Sequence, residues 1–407
     1  MTFPTGLRAL NHADFRRFFG AQTLSQVGSW MQSVAQSWLV LQLTDSPFRL
    51  GLLGTLQWGP ILLFSLVSGT VVDRRSQRRL LMATNMTFAG HALALALLIW
   101  TGHAAYWQLA LLATVSGLAN TIDQPARQTL VMALVGKEDV INAVALNSAA
   151  FNAARVVGPA VAGLLIGQVG VAPAFLLNSL FFLVVVTALW SLDEPAAPAR
   201  RRNTTILEEI GEGLAYAVRT PRVRLILGLL FVVGVTVYNF VVYVPLLART
   251  VLGLGAQGFG FLMAALGVGA GMGALTIGAR RAVTPSPAFL LAAGALACGG
   301  LLGLGASRHL WLTVPLLAFT GFFGIVMVAA CNTALQLEAP DELRGRVLSL
   351  YTWAFGGTFP IGVLLVGAIS ERWSVSTALL AAGTFGLAAL ALLAWWWRRR
   401  AGTLRGQ

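Results

Sequence analysis

Charge is excluded from one long stretch of this chain after another, and some of the gaps between those stretches are rich in arginine. Leu50 to Val72 and Leu80 to Thr101 contain no Asp, Glu, Lys or Arg, and each is long enough to cross a bilayer as a helix, for which about 20 residues suffice. Between them lies a turn carrying Arg74, Arg75, Arg78 and Arg79. In hydrocarbon every backbone amide must be satisfied within the segment, so uncharged runs of this length read as helices. Twelve apolar runs, eight of them without any charge, follow one another, near residues 18–43, 50–72, 80–101, 106–125, 142–167, 172–191, 223–248, 257–279, 287–306, 310–336, 346–369 and 374–397. The expectation is an all-α polytopic membrane protein with twelve transmembrane helices.

Orientation follows from the arginines. An even number of crossings puts both termini on one side, and both ends are basic, with Arg8, Arg16 and Arg17 at the front and Arg398 to Arg400 and Arg405 at the back. Placing the termini in the cytoplasm leaves Arg49, Arg249, Arg308 and Arg372 outside and Arg155 within a span, with every other Lys and Arg inside. That is the bias expected of cytoplasmic loops. The net charge of +13 is thus topological, and no nucleic acid is expected as a partner; the lipid bilayer is. Cys298 and Cys331 lie in apolar runs and offer no disulfide framework. Met1 to Ala21 lacks the apolar core and cleavage site of a signal peptide, so the first span is expected to act as the insertion signal.

The chain divides at its one long inner connection. Residues 1–191 hold six runs and 223–407 the other six, with 192–222 between them. Pro195, Pro198 and Arg200 to Arg202 read as linker, after which Thr205 and Glu208 form a capping box for an amphipathic helix ending before Pro221. That helix is expected along the membrane surface, as a tether between halves. The halves echo each other. Asn120-Thr121, a basic loop and Gly158-Pro159 are matched by Asn332-Thr333, Arg344-Gly345-Arg346 and Phe359-Pro360-Ile361-Gly362.

Polar residues in helical register mark faces with a reason to avoid lipid. The first span has Gln22, Gln26, Ser29, Ser33 and Gln36; the fourth has Ser116, Asn120, Asp123 and Arg127; the fifth has Ser148, Asn152, Arg155 and Pro159. Spans seven and ten offer Tyr238, Asn239, Tyr243, Thr320, Asn332 and Gln336, and span eleven Ser349, Trp353, Gly356 and Pro360. Any one of these serves equally as polar glue between helices. Taken together they predict a wet cavity for a small-molecule substrate, lined by Gln26, Ser33, Asn120, Asn152, Arg155, Tyr238, Asn239, Asn332 and Trp353. Arg155 lies near mid-membrane, where a cation costs about 2.5–3.5 kcal/mol on insertion scales, so it is expected to face water, substrate or an acid. Asp123 can pair with Arg127 one turn on, and it is also the best-placed carboxylate for carrying protons.

Three patterns resemble the major facilitator superfamily. Gly69, Asp73, Arg74 and Arg78 fall at the spacing of its loop between helices 2 and 3, G-x-L-A-D-R-x-G-R-K, although Ser76 and Gln77 replace a glycine and a base. Ala154 to Gly163, with Gly158-Pro159, is similar to its antiporter motif G-x-x-x-G-P-x-x-G-G, with alanine at two glycine positions. Asp123-Gln-Pro-Ala-Arg127-Gln, Asn142-Ala-Val-Ala-Leu-Asn147-Ser, Phe151-Asn-Ala-Ala-Arg155 and Pro340-Asp-Glu-Leu-Arg-Gly-Arg346-Val look like the bacterial branch containing the enterobactin exporter and macrolide efflux proteins. The resemblance implies two parallel six-helix halves with the substrate site between them, a conformational clasp at Gly69, Asp73, Arg74 and Arg78, and a helix kink at Gly158 and Pro159. It also implies export of a small amphiphilic compound, a siderophore or macrolide for example, from a bacterial plasma (inner) membrane by proton antiport and alternating access.

Other classes fare poorly. His12, His91, His103 and His309 are scattered, with no H-E-x-x-H, and Gly136-Lys137 lacks the upstream glycine of a phosphate loop. Neither an enzyme nor a cofactor or metal is expected. Gly267, Gly269, Gly271 and Gly273 lack the strand a dinucleotide site needs and read as helix packing. A transport-like sensor or a facilitator or channel without proton coupling remains the alternative.

Overall fold

The computed structural model describes residues 4–193, 206–279, 284–340 and 343–405. Among them there is helix and no strand: α1 (Ala13–Thr44), α2 (Pro47–Arg74), α3 (Gln77–Trp100), α4 (Tyr106–Val169), α5 (Ala172–Trp190), α6 (Ile206–Arg219), α7 (Pro221–Thr236), α8 (Phe240–Leu246), α9 (Ala256–Gly278), α10 (Pro287–Ala306), α11 (Leu310–Glu338), α12 (Arg344–Gly356), α13 (Phe359–Arg372) and α14 (Val375–Arg405). A 3-10 turn, Thr5–Asn11, precedes α1, and a π-turn, Leu247–Val251, follows α8.

Local chemistry accounts for the boundaries. Ser76 and Ser286 accept the amides of Arg79 and Phe289 and so cap α3 and α10, while Pro221 and Pro287 open their helices where a missing N–H costs nothing. Nine helical stretches among the described residues are long and apolar enough to cross a membrane. The longest, α4, is interrupted at Gly136, whose φ of 68° is open to glycine and strained for other residues. Helices α1 and α2, at 32 and 28 residues, also have the length of a span.

Two departures from the expected layout have clear causes. The segment between spans four and five is helical on both sides of Gly136 instead of forming a loop. Spans seven and eleven are each broken. The first stops at Thr236 and resumes at Phe240, with Asn239 outside helical dihedrals and Pro245 ahead of the π-turn. The second stops at Gly356-Gly357 and resumes one residue before Pro360, which cannot donate to the carbonyl of Gly356.

The chain forms two compact units. Unit 1 comprises Met1–Asp45, Leu56–Arg201 and Leu254–Ala264; unit 2 comprises Ser46–Thr55, Arg202–Gly253 and Ala265–Gln407. In unit 1 one core packs Phe15, Phe18, Leu81, Leu130 and Leu189 together where α1 and α3 begin and α5 ends. Gly158 lets α1 approach α4 so closely that an added Cβ would lie 2.6 Å from Cβ of Trp30, and Gly163 similarly meets Gly260. In unit 2 Gly269 and Gly273 admit the backbone of α11 at Ala318 and Phe322, which is the packing role read from that glycine run.

Helix α6 belongs to unit 2. Glu212 forms an ion pair with Arg346, Tyr216 donates its hydroxyl to the carbonyl of Glu338 at 3.1 Å, and Ala217 is buried. Residues Pro195, Pro198, Arg200 to Arg202, Asn203 and Thr205 of the expected linker and capping box lie outside the described residues.

Candidate functional site in the two helical units

The most tightly built polar cluster of unit 1 joins α3 to α4. Asp123 has no exposed surface, and its carboxylate accepts from Thr84 Oγ1 at 2.7 Å, from Asn85 Nδ2 at 3.2 Å and from the Arg127 guanidinium one turn along. The helical spacing of Asp123 and Arg127 makes the pairing local, whereas Thr84 and Asn85 come from the neighbouring span. Asn85 Nδ2 also donates to the carbonyl of Leu81. Sequence reading found the ion pair and missed its two donors, for which adjacent Thr84-Asn85 in an otherwise apolar run was the available signal.

Arg155, on the later half of α4, is 7% exposed and donates from Nη2 to Asn152 Oδ1 at 2.9 Å. Asn152 in turn donates to the carbonyl of Ser148 at 2.8 Å. Three members of the expected stripe therefore form one chain of hydrogen bonds along the helix. The α1 stripe divides. Gln22 and Gln36 are buried, Gln26 and Ser33 are half-buried, and Ser29 is exposed and donates to Ser25. The polar link from α1 to α5 runs instead through Gln32, whose Oε1 accepts from Asn178 Nδ2 at 2.6 Å. Asn120 is half-buried. Helical dihedrals continue through Gly158-Pro159, where the glycine faces Val27 and Trp30 of α1.

At the start of α3, Arg78 closes the end of α5, donating to the carbonyls of Leu189 and Trp190 at 2.7 Å each. A cation on the last carbonyls of a helix satisfies orphan acceptors and complements the dipole. Arg74 is exposed. Gly69 and Asp73, the other members of the expected clasp, fall within α2, and the Asp73 side chain lies outside the described part.

In unit 2 the two broken helices meet at their breaks. An added Cβ at Gly362 would lie 2.3 Å from Asn239 Oδ1, and one at Gly234 would lie 2.1 Å from Thr358 Oγ1. Asn239 is fully buried, its Nδ2 returns to the carbonyl of Val235 at 2.6 Å, and its Oδ1 has no hydrogen-bond partner. Around this crossing runs a chain of rings. Tyr351 stacks on Phe355, Phe355 meets Tyr238 edge-on at 4.7 Å, and Tyr238 and Phe359 flank Phe240. Asn332 lies beside Tyr351 and accepts from Gln336 Nε2 through its Oδ1. Trp353 is half-exposed, one face away from the ring chain. The structure thus groups Tyr238, Asn239 and Asn332, and adds Tyr351 and Phe355, whose aromatic character alone gave no sign of a partner.

The model of the family described as transmembrane secretion effector matches residues 4–401. The enterobactin exporter EntS of Shigella boydii serotype 18 is 27% identical over 385 residues, covering 94% of this chain and 91% of the exporter; that of Shigella flexneri is 27% identical over 383 residues, with the same coverage. Among solved structures, a bacterial homologue of the human lysosomal transporter Spinster, inward-facing and unoccupied, superposes with a TM-score of 0.73 at 14% identity, over 94% of this chain and 95% of that one. The nucleoside transporter NupG gives 0.74 at 11% identity, over 93% and 98%. Both likenesses concern the fold.

Proposed function

Because the chain belongs to the transmembrane secretion effector family within the major facilitator superfamily, we propose that it exports a small amphiphilic compound by proton antiport with alternating access. It is a multi-pass membrane transporter, with the lipid bilayer and a small-molecule substrate as its partners. The finer reading places it in a bacterial inner membrane with both termini in the cytoplasm, on the strength of the arginine distribution. Its cargo class, a siderophore, macrolide or similar metabolite, is supported by the likeness to exporters named for enterobactin.

The observation that carries proton coupling is Asp123. A carboxylate with no exposure, within an apolar stretch of α4, is costly to keep unless its charge is used or matched. Antiport assigns it a proton released on one side and regained on the other. Arg155 with Asn152 supplies a cationic surface for electron-rich groups of the cargo. A second reading, a facilitator without proton coupling, is favoured by the same residue's pairing with Arg127, since a matched carboxylate is already explained by structure.

Everted vesicles separate the two. With an acid interior, vesicles containing the protein are expected to accumulate enterobactin-like catecholates or a macrolide above equilibrium, and a protonophore to abolish the accumulation. Saturable counterflow with no accumulation and no protonophore effect would establish the facilitator.

A further inference from the structure

Unit 2 also holds a recess of about 410 Å³, between the start of α2, the π-turn after α8, the α10–α11 turn and the α13–α14 turn. Its polar wall includes Arg308, Ser370 and Ser376, and its apolar wall Leu246, Trp373 and Val375. None of these residues takes part in the clusters described above.

Two independent features call for an occupant with anionic oxygens. The first is Ser370, which is 6% exposed and is the one buried hydroxyl among the described residues that lacks a hydrogen-bond partner. Hydroxyls inside these helices commonly return to a carbonyl one turn back, as Thr250 and Thr320 do, and that of Ser370 does not. A buried donor left in this way is tolerable when a ligand supplies the acceptor. The second is Arg308. Its Nη1 is anchored by the carbonyls of Gly305 and Ser307 and by Ser376 Oγ at 2.8 Å, all neutral acceptors, and no described carboxylate pairs with it. Glu371 is engaged elsewhere, accepting from Ser46 Oγ and the amide of Phe48.

The distribution of charge agrees. Arg49, Arg249, Arg308 and Arg372 are the four arginines that the orientation proposed above leaves outside, against the general bias. Each lies on, or within two residues of, a segment that lines this recess, and Arg372 stacks over Trp373 at 5.5 Å.

We infer that the recess binds a carboxylate or phosphate bearing an apolar portion, with Arg308 and Ser370 donating to the oxygens and Trp373, Leu246 and Val375 receiving the apolar part. A volume of 410 Å³ sits toward the small end of ligand pockets, which run from about 300 to 1,000 Å³, and suits one ring or one headgroup. The group has two sources, a soluble amphiphilic anion or the headgroup of an anionic lipid. The inference holds whether or not transport is coupled to protons.

The test uses the full chain in phosphatidylcholine nanodiscs, as wild type and as Arg308→Gln and Ser370→Ala. Thermal unfolding is followed with benzoate added in solution, or with phosphatidylglycerol replacing part of the disc lipid, because a ligand of the native state raises the melting temperature. Ser370→Ala removes an unpartnered hydroxyl, so the ligand-free variant should melt no lower than wild type. The expected result is a rise in wild type with at least one probe that is at least halved in both variants. A response to benzoate alone identifies a soluble ligand, and a response to phosphatidylglycerol alone identifies a headgroup. Equal rises in wild type and variants, or no rise with either probe, would overturn the proposal.

Discussion

Asp123 and Arg155 are charged side chains buried in two apolar stretches of α4, and their surroundings give them different expected behaviour. Asp123→Asn keeps an oxygen for Thr84 but leaves Arg127 unmatched, so it should cost about 1–3 kcal/mol of stability, the penalty of an unsatisfied polar group. Asp123→Asn combined with Arg127→Gln should recover part of that loss in thermal melts of the purified protein. If Asp123 also carries the coupled proton, both variants bind cargo but lose the dependence of export on the pH gradient; persistence of that dependence would assign the residue to structure alone. Arg155→Lys keeps the cation and loses the planar donor set directed at Asn152, whereas Arg155→Ala removes both. Export should therefore fall in the order wild type, lysine, alanine, with all three proteins reaching the membrane. Equal export by the alanine variant would remove Arg155 from the cargo surface. Both positions could be named from sequence because a charge within an apolar run is visible in one dimension. Thr84 and Asn85 could not be assigned to Asp123, since they lie on another helix and only packing brings them within 3.2 Å.

Helices here are held at glycines, so the element-level test is steric. A methyl at Gly158 meets the backbone and Cβ of α1 at 2.6–2.7 Å, and overpacking of that kind costs typically about 1–3 kcal/mol. Gly90→Ala, on α3 with nothing within 4 Å of the added atom, should instead gain up to about 1 kcal/mol from helix propensity. Comparing the two melting temperatures separates close approach from composition, and a Gly158→Ala protein as stable as wild type would show that α1 can move aside. Gly158-Pro159 was legible as a point where a neighbour packs closely, though not which neighbour. The breaks in spans seven and eleven were harder to foresee. Pro245, Pro360 and the Gly356-Gly357 pair weaken a helix without requiring it to stop, and the interruption is stabilised only where Asn239 and Gly362, or Gly234 and Thr358, meet across the crossing.

For the molecule as a whole the open question is sidedness. Single cysteines at Arg75 and Lys137, which are exposed, should react with an impermeant maleimide only from the cytoplasm, and cysteines at His103 and His309, also exposed, only from outside. Ser307, in the same turn as His309, is a poor probe because it is 2% exposed and bonded to Thr313. Native Cys298 and Cys331 are buried and free, so background labelling should be low. Labelling of Lys137 from outside would refute the proposed orientation. The sequence by itself determined that this chain is a polytopic helical membrane protein and a relative of facilitator transporters. Uncharged runs the thickness of a bilayer leave the backbone no other solution, and short motifs survive at fixed spacing. Tertiary structure alone decided the donors around Asp123, the ring chain from Tyr351 to Phe359 and the recess at Arg308 and Ser370. Each is assembled from residues far apart in the chain, and in an environment where every helix is apolar the periodicity of one helix cannot say which neighbour its polar groups will meet.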